Sequence, residues 1–203
     1  MPDLTFLQYS FLATVGLIVG IINAMAGGAS VLMYSALMAV GANPVAAVVT
    51  NAWGVTPANL VAQFTAKEKL RDIYKANWKL LWLSIIGTVI GAIALMNMPI
   101  KTLEKGVPIL LLLAGLSVLI PVKREVGGLT EGKEQLAIFG TGLYCGYFGP
   151  GQGVMVAATL ARDPRRNPLD LNGLKNFITG YTSLISNFVF LASGEVYWGL
   201  IGL

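Results

Sequence analysis

Few residues of this 203-residue chain can do chemistry, and nearly all of them sit inside apolar stretches. Lys175 lies seven residues past Pro168, within the apolar and hydroxyl-rich run Leu169–Ala192. A cation buried in a membrane costs a few kcal/mol or more, so it faces a cavity or a partner, or snorkels to the headgroups. Asn176 follows directly, with Thr179, Ser183, Ser186 and Asn187 beyond it. Asn51 and Asn59 occupy a second such run, Val45–Phe64, eight residues apart and so within about 80° of each other around a helix. Each amide or hydroxyl, taken singly, is a helix–helix hydrogen bond worth about 0.6 kcal/mol. Their clustering with one lysine favours a path for a small anion.

Two glycine clusters supply the second kind of anion ligand. Gly27 and Gly28, within Gly20–Ser30, interrupt one apolar run, and Gly146–Gly153 interrupts another about 125 residues later. Glycine weakens a helix by roughly 1 kcal/mol and frees the backbone to turn. In lipid such a break is tolerated only where the loosened polar groups face protein or a polar hollow. A helix beginning just after each break would aim free N–H groups and a partial positive charge of about half a unit at a bound anion. The expected substrate ligands are therefore Asn23, Gly27, Gly28, Ser30, Asn51, Asn59, Gly151, Gln152, Gly153, Lys175 and Asn176. The bland alternative for the glycines is close helix packing. Paired breaks, each followed by a short apolar segment and an Asn-Pro turn (Asn43-Pro44 and Asn167-Pro168), favour the binding site.

The rest of the chain argues against other chemistries. Histidine is absent and Cys145 is the sole cysteine, which speaks against a His/Cys metal site, a disulfide framework or a thiol relay. No nucleophile–base pair or carboxylate pair falls within a span, so no enzyme and no cofactor are expected. Only 12% of residues are charged, against about 25% in a soluble domain. So little polar surface requires a bilayer as solvent. The net charge of +4 reads as topology signal, and no nucleic-acid partner is expected.

The elements that must position these residues follow from the apolar runs. We expect an all-α, polytopic membrane protein. Helices are expected over Phe6–Ala26, Ser30–Val40, Val45–Phe64, Leu80–Met96 and Gly106–Ile120, with Thr65–Lys79 a charged loop or interfacial helix. The second half offers Leu136–Phe148, Val154–Ala161 and Leu169–Ala192, then a last apolar piece, Tyr197–Leu203. Ser30–Val40 and Val154–Ala161 are too short to cross alone, so a hairpin that dips in and returns fits better than a tilted short span. Leu80–Met96 and Gly106–Ile120 are expected to pack and face lipid. Eleven of the 14 basic residues fall on one side, in 65–79, 121–134 and 162–168, which puts that side in the cytoplasm and the N-terminus outside. Five segments precede the linker, and an odd number forces the two halves to run in opposite orientations. The chain thus divides into a first membrane repeat (1–122), a cytoplasmic linker (123–134) and an inverted, shortened second repeat (135–203).

The pattern resembles the sulfite exporter TauE/SafE family of membrane permeases. The likeness is carried by Gly20–Ser30, by Gly41-Ala42-Asn43-Pro44 through Thr50-Asn51 to Asn59, by Gly146–Gly153 and by the Lys175–Asn187 stretch. It implies two inverted halves and a sulfur oxyanion or organosulfonate substrate such as sulfite or sulfoacetate. Family members usually continue through two more helices where this sequence stops at Leu203. The second break, Gly149-Pro150-Gly151-Gln152-Gly153, departs from the pattern in its Pro and Gln, which bear on substrate preference. The expected function is a multi-pass inner-membrane transporter that moves a small anion by alternating access about a midplane site. The rival is a non-transporting scaffold, and a homo-oligomer is compatible with either. Sequence does not separate carrier from channel.

Overall fold

The structure, a computed structural model, describes residues 4–25, 27–64, 67–119, 130–163, 166–191, 194 and 198–201. Every regular element among them is a helix. In chain order these are α1 (Phe6–Met25), α2 (Ser30–Ala39), α3 (Pro44–Phe64), α4 (Lys67–Asn97), α5 (Ile100–Leu119), α6 (Glu131–Tyr147), α7 (Gln152–Leu160), α8 (Pro168–Leu191) and α9 (Trp198–Ile201). Residues 123–129 of the expected linker lie outside the described residues, and Thr130 already precedes α6.

Local sequence explains most boundaries. Pro44 and Pro168 open α3 and α8, where a missing N–H and a preset φ suit the first helical position. Gly27, Gly28, Gly149 and Gly151 all adopt positive φ, between 76° and 87°, and so end α1 and α6 and admit the turns into α2 and α7. Asn43 caps α3, its Oδ1 accepting from the Ala46 N–H at 2.8 Å. α2 and α7, with 10 and 9 residues, reach about 15 Å each, half of a ~30 Å hydrocarbon core.

One expected division falls beside a kink. The charged stretch before Lys79 is helical, and it joins the apolar helix across Asn77, whose backbone is non-helical (φ −117°, ψ 15°), so that α4 is two helical stretches meeting two residues before the expected boundary. No glycine or proline separates the two parts, and the Lys- and Glu-rich start is good helix-forming sequence. α5 and α6 likewise begin several residues before their apolar runs.

Among the described residues, three helices are long and apolar enough to cross a membrane: Phe6–Asn23, Pro44–Gln63 and Tyr74–Asn97. Phe6, Leu7 and Leu17 of α1, and Ile109 and Leu112 of α5, are mostly exposed, as a lipid-facing surface requires. The short α2 sits inward, with Tyr34 and Leu37 almost wholly buried and the Tyr34 ring edge-on to Phe148 at 4.9 Å.

The most extensive helix pair is α4 with α6. Gly87 and Gly91 of α4 face Gly142 and Gly146 of α6. A Cβ built on Gly91 would lie 2.2 Å from the Leu143 carbonyl oxygen, and one on Gly146 would lie 1.9 Å from the Thr88 carbonyl oxygen. Glycines four apart on both helices therefore let the backbones touch. The Thr88 hydroxyl adds a cross-helix bond to the Gly142 carbonyl oxygen (3.2 Å). The next most extensive pair, α3 with α8, is polar and builds the site.

Candidate functional site

α8 turns an unusually polar face inward. Lys175, Asn176, Thr179, Thr182, Ser183, Ser186 and Asn187 are all buried. Lys175, Thr179 and Ser183 recur every four residues and so form one stripe along the helix. The hydroxyls are held by their own helix: Thr179 Oγ1 donates to the Lys175 carbonyl oxygen (2.9 Å) and Thr182 Oγ1 to that of Ile178 (2.8 Å). Opposite them, α3 buries Thr50, Asn51, Thr56 and Asn59. Asn187 Nδ2 donates to Thr56 Oγ1 (2.9 Å), which in turn donates to the Ala52 carbonyl oxygen (2.7 Å).

The two glycine breaks meet each other at this seam. A Cβ on Gly27 would fall 2.9 Å from the Gly153 carbonyl carbon, and one on Gly153 would fall 3.0 Å from the Gly27 Cα. The Gly151 N–H donates to Ser30 Oγ at 3.0 Å, joining the second break to the start of α2. Asn23 Nδ2 donates to Asn59 Oδ1 (3.1 Å), and Gln152 Nε2 to Thr182 Oγ1 (2.9 Å). Each break is thus pinned both to its counterpart and to one of the two polar helices.

Between them lies a cavity lined by Asn23, Gly27, Ser30, Val55, Asn59, Gly149, Gln152, Gly153, Lys175, Thr179 and Ser183. Its free volume is about 20 Å³, room for about one water. Lys175 brings a cation to this lining, Lys175 itself being 2% exposed, and the lining has no Asp or Glu. The first residues of α2 and α7, Ser30 and Gln152, both face it, so two helix N-termini converge there.

Much of the lining comes in corresponding places of the two halves. Ser30 and Gln152 each begin a short helix, and Gly27 and Gly149 are each the first glycine of their break in the left-handed conformation. Val55 and Thr179 each stand eleven residues after the proline that opens their helix, and Asn59 and Ser183 fifteen after. Lys175 has Asn51 as its counterpart, seven residues after Pro168 and Pro44 respectively.

The structure brings seven of the expected ligands to this cavity: Asn23, Gly27, Ser30, Asn59, Gln152, Gly153 and Lys175. It leaves Gly28, Asn51, Gly151 and Asn176 off the lining. Asn51 shares a side of α3 with Asn59, but eight residues of rise, about 12 Å, put it beyond one small ligand. Asn176 is turned about 100° from Lys175. Gly28 abuts the Val154 side chain, and Gly151 abuts Ala114 and Val31. Asn51 Oδ1 and Asn176 Oδ1 are buried without a hydrogen-bond partner among the described residues. Thr179, Ser183, Val55 and Gly149 were absent from the expected ligands. The four-residue step from Lys175 to Thr179 and Ser183, and from Val55 to Asn59, was the available signal for three of them. The match between Gly149 and Gly27 was the signal for the fourth.

No group of three or more metal-binding side chains occurs among the described residues. No solved structure gives a significant match to the chain. A probable membrane transporter protein of Haemophilus influenzae is 29% identical over 203 residues, spanning 93% of this chain and 76% of that protein. The probable membrane transporter protein YfcA of Escherichia coli K12 is 24% identical over 195 residues, spanning 91% and 70% respectively. The family model described as Sulfite exporter TauE/SafE matches residues 12–203.

Proposed function

The chain belongs to the sulfite exporter TauE/SafE family of multi-pass membrane transporters, and from that premise we propose that it carries a small anion through the cavity where the two glycine breaks meet α3 and α8. Lys175 is the observation that carries this reading. A lysine buried in a bilayer is costly and marks a substrate path or a counter-charge. Here it lines a cavity beside the first residues of two helices, Ser30 and Gln152, whose N-termini carry partial positive charge. Asn23, Asn59, Ser30, Gln152, Thr179 and Ser183 add neutral hydrogen-bonding groups for an oxyanion. The substrate we favour is a sulfur oxyanion or organosulfonate, sulfite being the anion that the family description names.

The paired positions around the cavity support two inverted repeats with hairpins that enter the membrane from opposite faces. We take the basic loops as cytoplasmic and the N-terminus as outside, in an inner membrane. A cavity of about 20 Å³ is too small for an oxyanion, so its walls must part to admit one. The contact between Gly27 and Gly153 lies where the halves meet, and rocking one half against the other about that contact would open the site to each side in turn.

The test is anion flux into vesicles reconstituted with the intact protein, using sulfite, sulfoacetate, thiosulfate, sulfate and chloride. Saturable flux of at least one sulfur anion is expected, with Lys175→Ala cutting it by about 30-fold or more, the 2–5 kcal/mol attached to a buried charge partner. Lys175→Arg should retain part of it. Undiminished flux in Lys175→Ala protein that remains folded would overturn the assignment.

A further inference from the structure

We propose that the Arg166–Glu134 ion pair is a latch that holds one face of the transporter shut. The inference rests on the transport reading above and extends it to how access to the site is controlled.

Arg166 lies in the turn between α7 and α8, its N–H donating to the Asp163 carbonyl oxygen at 3.3 Å. Its guanidinium reaches three separate elements. Nη1 donates to Glu134 Oε1 in the first turn of α6 and to the Leu160 carbonyl oxygen at the end of α7 (3.3 Å). Nη2 donates to Asn77 Oδ1, where α4 bends (3.3 Å). One cation therefore caps the negative end of α7 and ties it to the start of α6 and the bend of α4. The pair is also sheltered: the Arg166 and Glu134 side chains are 16% and 14% exposed. Its neighbour Lys79–Glu131 is 3.6 Å apart with side chains 62% and 73% exposed, a contact that water screens.

The corresponding turn between α2 and α3 has nothing of the kind. Residues 41–43 are Gly, Ala and Asn, held by the neutral cap from Asn43 Oδ1 to Ala46. Swinging α7 away from α6 would break this sheltered pair, and with it the Arg166 bond to Asn77. Parting the α2–α3 turn from its surroundings breaks no described ion pair. The two faces thus open against unequal resistance, and the resting protein favours the state closed at the Arg166 face.

The chain contains its own reporter. Cys145, the sole cysteine, is 4% exposed, with Thr88, Thr182 and the cavity residue Ser183 beside its thiol. The experiment measures how fast a membrane-impermeant maleimide labels Cys145 in right-side-out and in inverted vesicles. Arg166→Gln and Glu134→Gln should each raise the rate several-fold, from one face only. The exchanged pair, Arg166→Glu with Glu134→Arg, should lower it again. Unchanged labelling in both single variants overturns the latch. So does an equal rise from both faces, which would mean general loosening, and so does an exchanged pair that labels as fast as the single variants. The measurement needs no substrate, so it fails separately from the Lys175 flux assay.

Discussion

Glycine does opposite work at two places in this molecule. Along α4 and α6, Gly87, Gly91, Gly142 and Gly146 keep helical geometry and contribute only the absence of a side chain. The helices then touch backbone to backbone. At the breaks, Gly27, Gly28, Gly149 and Gly151 leave helical geometry altogether, with φ near +80°. There the backbone turns, and the first residues of two helices, Ser30 and Gln152, line a polar cavity. The lesson is that glycine content in a membrane chain has no single meaning. Its place within or between helices decides whether it closes a seam or opens a site.

The comparison is tested most severely at the closed seam. Gly146→Leu should destabilise the protein by about 3 kcal/mol or more, at or beyond the usual range for overpacking, because the atoms it meets are backbone and cannot turn aside. Thermal unfolding in detergent measures it, with Gly20→Ala as the control, since nothing lies within 4 Å of that Cβ. Equal unfolding temperatures for the two variants would break the distinction.

A smaller loss of stability, with a larger loss of activity, is expected at the breaks. Gly27→Ala forces an L-residue to φ +76° and presses a methyl on Gly153. The conformational part is about 1–2 kcal/mol. Anion flux should fall at least tenfold while the protein stays folded. If flux followed stability alone, the break would be another packing seam. Smallest of all, Asn59→Ala removes the bond from Asn23 and should change stability by only about 0.6 kcal/mol. The half-saturating substrate concentration should shift several-fold, and an unchanged value would remove Asn59 from the site.

How much was legible beforehand differs in the same way. The breaks were readable because each glycine cluster, Gly27-Gly28 and Gly149–Gly153, is followed by a short apolar segment and an Asn-Pro turn. The α4–α6 seam was not, although Gly87 and Gly91 stand in plain view within Leu80–Met96. A helical glycine facing lipid and one facing another backbone have the same sequence context. The bend at Asn77 was hidden for a related reason: the lysine-rich residues before it suit an interfacial helix whether or not it continues into the span. Of the ligands, Asn23 and Lys175 stood out as polar residues in apolar surroundings, and Thr179 and Ser183 belonged to the polar cluster read beyond Lys175, whereas the apolar Val55 had only its four-residue step to Asn59.

Composition, apolar run length and the paired glycine clusters by themselves determined that this is a helical membrane protein with two interrupted segments and a lone lysine deep in an apolar helix. Those properties depend on local physics: the absence of water in the bilayer core, the freedom of a backbone without a Cβ, and the expense of a buried charge. Only the tertiary structure decided that Gly27 rests on Gly153 and that Arg166 reaches both α4 and α6. Each of these is a distance between residues far apart in the chain, and such distances are set by how helices pack, which no single helix encodes.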